Sequence, residues 1–245
     1  MECTLNSWLF AGAAAILVGL SKTGMPGVAI PAIWLMVEAF EGDAKLSVGA
    51  ILPMLLVADV FAVAYYRRHA QWDRLWRLFP YVLLGMAPAL LILRQTNGEG
   101  LRPLLGGLIL ALLALEVGRK WFGWENMPAA WWFVVATGAL AGFGTALGNA
   151  AGPVMSIYLI ATGLPKQQFM GTAAWFFLIV NAAKVPPFWS LGMITPTTLA
   201  FDLRLAPVVV VGSVLGILLL PVIPQRFFNI LVLVLAGIAG VRLLT

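Results

Sequence analysis

Eight apolar stretches fill almost the whole chain, at about residues 8–37, 46–66, 78–93, 101–118, 130–163, 169–190, 205–223 and 226–244. The polar interruptions between them are short, and none is long enough for a separate soluble domain. A bilayer span needs about 20 mostly apolar residues, so the pattern predicts an all-α polytopic membrane protein of about eight transmembrane segments. Composition agrees. Charged residues are 10% of the 245 and hydrophobic ones 62%, against about 25% charged in a soluble domain. Mean hydropathy is +0.97. Polar groups cannot cover the surface of so apolar a chain, which excludes a soluble enzyme. Disorder is excluded by the same composition. The net charge of +5 reads as basic loops that hold cytoplasmic ends in place, not as a nucleic-acid surface. One cysteine, Cys3, and one histidine, His69, cannot build a zinc site, so neither metal nor cofactor is expected. The first residues lack a basic start, and the apolar run passes any cleavage point, so they read as a retained span.

Two stretches are too long. Residues 8–37 and 130–163 would each make a helix of at least about 45 Å, while the hydrocarbon core is about 30 Å. Each carries glycine and proline near its middle: Gly24-Met25-Pro26-Gly27 and Gly148-Asn149-Ala150-Ala151-Gly152-Pro153. Proline removes a backbone donor and ends or kinks a helix, so each stretch is expected to be two half-helices around a mid-membrane break. The chain also repeats itself. Pro80 to Gly85 matches Pro207 to Gly212, and Arg102 before the fourth stretch matches Arg226 before the eighth. Asp59 stands to Gly19 almost as Asn181 stands to Gly142. The expected division is a first repeat at 1–124 and a second at 125–245, the first segment of each being broken. Such duplication marks secondary transporters, whose substrate site lies at the repeat interface.

Loop charge sets orientation. The Arg67–Arg77 loop, with Arg67, Arg68, Arg74 and Arg77, is expected in the cytoplasm. Glu38, Glu41 and Asp43 suit the outside, and Arg119 and Lys120 return inside. If each broken segment crosses once, the repeats are parallel. If each is a re-entrant hairpin, they are inverted. The single crossing is the preferred reading.

A charge at mid-membrane costs roughly 2.5 to 3.5 kcal/mol on insertion scales, so each such residue is a candidate for function. Lys22 adjoins the first break, Asp59 lies midway along its stretch, and Lys184 shares a helix face with Asn181. Pro26 and Pro153 suit the first turn of a half-helix, whose free N–H groups and positive dipole end favour an anion. Gly24, Gly27 and Gly152 allow close backbone approach. Ser21, Thr23, Thr145, Asn149 and Thr172 offer neutral hydrogen bonds. Lys22 and Lys184 make the site anion-attracting. Each lysine has the alternative of snorkelling to an interface. Lys184 precedes Pro186-Pro187, which offer a helix end. Asp59 reads equally as the structural partner of a lysine or as a proton-coupling group, and Asn181 as a helix–helix hydrogen bond or a ligand. No nucleophile, metalloprotease or phosphate-loop motif appears, so no enzyme is expected.

The first repeat carries Gly19-Leu-Ser-Lys-Thr-Gly-Met-Pro-Gly27. The second carries Gly148-Asn-Ala-Ala-Gly-Pro153, Ile157-Tyr-Leu-Ile160, Leu164-Pro-Lys166, Phe169-Met-Gly-Thr-Ala-Ala-Trp-Phe-Phe177 and Val180-Asn-Ala-Ala-Lys-Val-Pro186. These motifs resemble those of the TauE/SafE family of sulfite and organosulfonate exporters. The resemblance covers essentially the whole chain. A Gly-Gly-Gly run common in the family is absent after Gly19. The resemblance implies a permease for sulfite, sulfonates or related anions. Its implied substrate-binding positions are Lys22, Thr23, Gly24, Asn149, Gly152, Thr172, Asn181 and Lys184.

The expected function is a secondary transporter moving a small sulfur-containing anion across the cytoplasmic membrane, with Asp59 as the coupling candidate. The alternatives are an anion channel-like pore, or a permease for another small anion or metabolite. Expected partners are the anion, the bilayer and a coupling proton or sodium ion, with a homodimer left open.

Overall fold

The computed structural model describes residues 4–24, 28–122, 130–219 and 225–245. Among these, ten α-helices account for almost all of the chain. They are α1 (Leu5–Thr23), α2 (Ala29–Ala39), α3 (Ala44–Tyr66), α4 (Trp72–Gln95), α5 (Gly98–Phe122), α6 (Trp131–Gly148), α7 (Gly152–Ala161), α8 (Lys166–Ser190), α9 (Pro196–Leu219) and α10 (Gln225–Leu244). The order is one set of five helices, of 19, 11, 23, 24 and 25 residues, and a second of 18, 10, 25, 24 and 20. Seven helices, α1, α3, α4, α5, α6, α8 and α9, have described stretches long and apolar enough to cross a membrane. The boundary expected after residue 124 falls in 123–129, outside the described residues, as do Cys3, Pro26 and Gly27.

Both over-long stretches are broken, but unequally. At 1.5 Å per residue α1 and α6 each reach about 27 Å and α2 and α7 about 15 Å, so a full-length helix is followed by a half-length one. The halves of each stretch run antiparallel. Phe10 of α1 meets Trp34 of α2, and Trp8 and Phe40, at opposite ends of the stretch, both pack on Phe201. Likewise Phe133, at the start of α6, stacks on Tyr158, near the end of α7. Each broken segment is therefore a hairpin and not a single crossing, which corrects the preferred parity. Loop charge did not separate the two readings, because either one leaves Glu38, Glu41 and Asp43 on the side opposite the arginine loop.

The hairpins enter from opposite ends of the molecule. At one end Glu38 meets Arg102 (3.5 Å), Lys45 donates to the Thr96 carbonyl (3.0 Å), and Arg102 donates to the Arg242 carbonyl (3.2 Å). At the other end Tyr158 donates to the Arg74 carbonyl (3.4 Å), and the amide of Gln71 donates to Thr172 Oγ1 (3.0 Å). The first hairpin opens at the Glu38–Arg102 end and the second at the arginine-rich end. The long helices follow suit: α3 runs toward the arginine-rich end and α8 away from it, so the two sets of five are inverted.

The two sets also interlock. Helix α1 lies along α9, and α4 along α6. Both crossings are glycine-mediated. A Cβ on Gly19 would strike the backbone of Val209 and Ser213, and one on Gly212 the backbone of Ile16. One on Gly142 would strike the backbone of Val82, and one on Gly85 that of Ala139. Small residues let membrane helices approach this closely, and van der Waals contact then holds them together. Local signals set the ends. Thr4 accepts from the amide of Ser7 (3.2 Å) at the start of α1, and Asp43 accepts from Lys45 and Leu46 (3.0 Å each) at the start of α3. Asn149 ends α6 in the left-handed region (φ 56°), which Asn tolerates better than most residues.

Two helix bounds differ from hydropathy. Helix α8 continues through Pro186 and Pro187 to Ser190, so Lys184 stays inside the span. Helix α9 starts at Pro196, nine residues before the apolar stretch, and takes in Asp202 and Arg204.

The glycine crossings yield a test. Gly85→Val and Gly142→Val should each lower stability by about 1–3 kcal/mol or more, because backbone cannot yield to the added carbons. Gly107→Ala, which meets nothing within 4 Å, should be neutral or slightly stabilising. Thermal unfolding in detergent, followed by the monodisperse fraction, reads both.

Candidate functional site

The two hairpin tips meet around a narrow cavity. Ser21, Lys22, Ala29 and Ile30 line it from the first hairpin, and Asn149, Ala150, Gly152 and Pro153 from the second. Leu55 of α3 and Phe177 of α8 close the sides. The space open to a water centre is ≈ 20 Å³, room for about one water molecule. A sulfur oxyanion is larger, so this conformation is constricted. The half-helices α2 and α7 both begin at the cavity, and neither has a side-chain cap. Their first N–H groups have no intrahelical partner, and their dipoles put partial positive charge at that end.

The charged groups beside the cavity are buried. Lys22, at the end of α1, pairs with Asp59 of α3 at 2.9 Å, with side-chain exposures of 7% and 0%. Its ammonium also lies 3.8 Å from the centre of the Phe177 ring, a cation–π contact. Asn181 of α8 donates from Nδ2 to the other oxygen of Asp59, and its own Oδ1 is buried without a hydrogen-bond partner. One turn along α8, Lys184 donates to the carbonyl of Thr145 (3.0 Å), to Thr145 Oγ1 (3.1 Å) and to Asn149 Oδ1. Those three oxygens use the three donors of an ammonium. Asn149 in turn donates to the Val48 carbonyl at 2.9 Å. A polar chain therefore runs from α1 through α3 and α8 to the end of α6, its two bonded parts joined between Asn181 and Lys184 by one turn of α8 and not by a hydrogen bond. It contains two lysines and one aspartate.

Most residues chosen from sequence converge here. Lys22, Asn149 and Gly152 line the cavity, while Asp59, Asn181 and Lys184 form the polar chain behind it. Thr145 and Ser21, chosen as neutral hydrogen-bonding groups, stand on Lys184 and in the cavity wall. Thr23 and Gly24 belong to the packing of the first tip. Thr23 is fully buried and donates to the carbonyls of Gly19 (3.2 Å) and Ser213 (2.7 Å), and Gly24 sits against Gly216. Thr172 lies elsewhere. It accepts from the amide of Gln71 at the arginine-rich end, about 13 Å along α8 from Asn181.

Sequence reasoning missed two groups. Tyr66, at the end of α3, donates to the carbonyl of Thr23 at 3.1 Å. In sequence it reads as an aromatic at a span end, where tyrosine is common. Asp202 is 4% exposed, and neither of its oxygens has a hydrogen-bond partner. Hydropathy left it outside its span because Asp202 and Arg204 together lower the local average.

The Lys22–Asp59 pair yields a test. Removing one partner strands a buried charge, so Lys22→Met and Asp59→Asn should each cost on the order of 3–5 kcal/mol. The Lys22→Met/Asp59→Asn double variant should recover most of that loss. A double-mutant cycle of thermal midpoints checks it, and strictly additive losses would show that the two residues do not interact.

No curated protein and no solved structure matches the chain. The family described as Sulfite exporter TauE/SafE matches residues 7–243, nearly the whole length, and takes in both hairpins and every residue of the polar chain. By that match the chain belongs to the sulfite exporter TauE/SafE family, a family of membrane transporters.

Proposed function

We propose that this protein is a secondary transporter for a small sulfur-containing anion, sulfite or a simple sulfonate, working by alternating access at the hairpin tips. The observation that carries this reading is the charge balance of the buried centre, where two lysines face one aspartate. Two uncapped half-helix N-termini add partial positive charge at the same point. A buried excess of positive charge is costly in a bilayer, and a bound anion would neutralise it. Half-helices ending near the midplane at the junction of inverted sets are the usual setting for a transporter site. The family match supports the sulfur anion specifically.

In this reading Lys22, Lys184, Asn149 and the backbone at Gly152 contact the anion, and Phe177, Leu55 and Ile30 exclude water. Asp59 is the coupling group. A proton on its carboxylate removes the charge that holds Lys22, which frees the ammonium for the anion. Thr23 and Gly24 shape the tip and Asn181 orients Asp59. The arginine-rich face lies in the cytoplasm by the positive-inside rule, and the membrane is the cytoplasmic one.

Purified protein in proteoliposomes should show saturable sulfite flux that drives accumulation when a pH gradient is imposed. Lys184→Met should cut that flux at least about tenfold, since a charge-assisted hydrogen bond is worth about 1.5–3 kcal/mol. Flux that never exceeds equilibrium under any proton or sodium gradient would favour the channel-like pore. Absence of flux with every sulfur anion tried, in folded protein, would remove the substrate assignment and leave the family.

A further inference from the structure

Helix α3 touches both hairpin tips, once near each of its ends. Near the arginine-rich face, Tyr66 Oη donates to the carbonyl of Thr23, the last residue of α1, at 3.1 Å. Near the opposite face, Asn149 Nδ2 donates to the carbonyl of Val48 at 2.9 Å. Val48 and Tyr66 are 18 residues apart, about 27 Å along the helix, close to the full hydrocarbon thickness. Leu55, between them on α3, forms part of the cavity wall. The cavity therefore lies between two hydrogen bonds, each tying one tip to helix α3.

Each bond is coupled to one lysine. The tip held by Tyr66 carries Lys22, whose partner Asp59 is also on α3. The tip held through Val48 carries Asn149, which accepts from Lys184 with its other amide atom. An anion that draws Lys184 away leaves Asn149 with one bond instead of two. Loss of the Lys22–Asp59 contact leaves the first tip attached to α3 through Tyr66. The charges that bind cargo and the bonds that fix the tips thus share residues.

We infer that Tyr66 and Asn149 are the two latches of the transport cycle, Tyr66 closing the cavity toward the arginine-rich face and Asn149 closing it toward the opposite face. This rests on the alternating-access reading but not on the identity of the cargo. A net hydrogen bond between neutral groups is weak, which suits a contact that must break once per cycle. Both residues are positioning residues for access. Tyr66 touches no cargo, and the latch role of Asn149 lies in its donor to Val48.

The test is sided cysteine labelling. Cys3→Ser removes the native thiol, and Ser21→Cys places one in the cavity wall. A membrane-impermeant methanethiosulfonate carrying a sulfonate is applied to sealed vesicles of either orientation. Tyr66→Phe should raise the labelling rate at position 21 about three- to tenfold from the arginine-rich face, as expected for losing one neutral hydrogen bond, and leave the rate from the opposite face unchanged. Asn149→Gly keeps the left-handed turn at no steric cost and should do the reverse. Gln167→Cys and Ser190→Cys, exposed near the two faces, should label at the parent rate in both variants, which checks folding. Equal increases from both faces, or none from either, would overturn the assignment. Labelling requires no transported substrate, so an incorrect cargo assignment leaves this result readable.

Discussion

A helix that stops halfway through a bilayer leaves backbone groups which lipid cannot satisfy. Everything else in this fold answers that constraint. The described residues that border each break are covered by protein drawn partly from the other half of the chain. Helix α9 covers the first, with Ser213 accepting from Thr23 and Gly216 lying against Gly24. Helices α5 and α8 cover the second, with Leu105 and Leu108 against Gly148 and Lys184 on the last turn of α6. The glycine crossings exist because that cover has to be close. Any side chain at Gly19, Gly85, Gly142 or Gly212 would hold the helices apart and open the breaks to lipid.

The same enclosure explains how three charges persist in the interior. Lys22 and Asp59 neutralise each other, and Lys184 is solvated by three oxygens in place of water. One of those oxygens is the Thr145 carbonyl in the last turn of α6, which also accepts from the Asn149 amide at 3.0 Å. The two sets of five helices follow one order, but their chemistry differs. Asp59 and Asn181 occupy matching positions and bond to each other across α3 and α8. One half contributes the carboxylate and the other an amide, so the centre has a single acid.

Much of the centre was legible in the sequence, because a charge or a proline inside an apolar stretch has few innocent explanations. Lys22, Asp59 and Lys184 stood out on that ground, Asn181 by sharing a helix face with Lys184 and Asn149 by its place in the second break, and the structure brings them together. Direction was not legible. A hairpin and a crossing differ in the direction the second half-helix takes after the first, and the flanking charges suit both. Asp202 escaped notice because hydropathy averages over a window, and Arg204 two residues on pulled the same window down. Thr172 was overvalued for the opposite reason. A threonine in a helix interior looks available, and only the fold shows its hydroxyl bonded to Gln71. Tyr66 could not be told from any other aromatic at a span end without knowing that Thr23 lies beside it.

The interlocking of α1 with α9 has a consequence for how the chain is made. Thr23 and the Ser213 carbonyl it binds are 190 residues apart. A chain emerging from the N-terminus exposes the first hairpin long before its cover exists. Until α9 arrives, the contacts that hold that tip beside α3 are the Lys22–Asp59 pair and the Tyr66 bond to the Thr23 carbonyl. The last fifth of the chain thus supplies the cover of the first fifth, and the first hairpin reaches its finished packing only when α9 is in place.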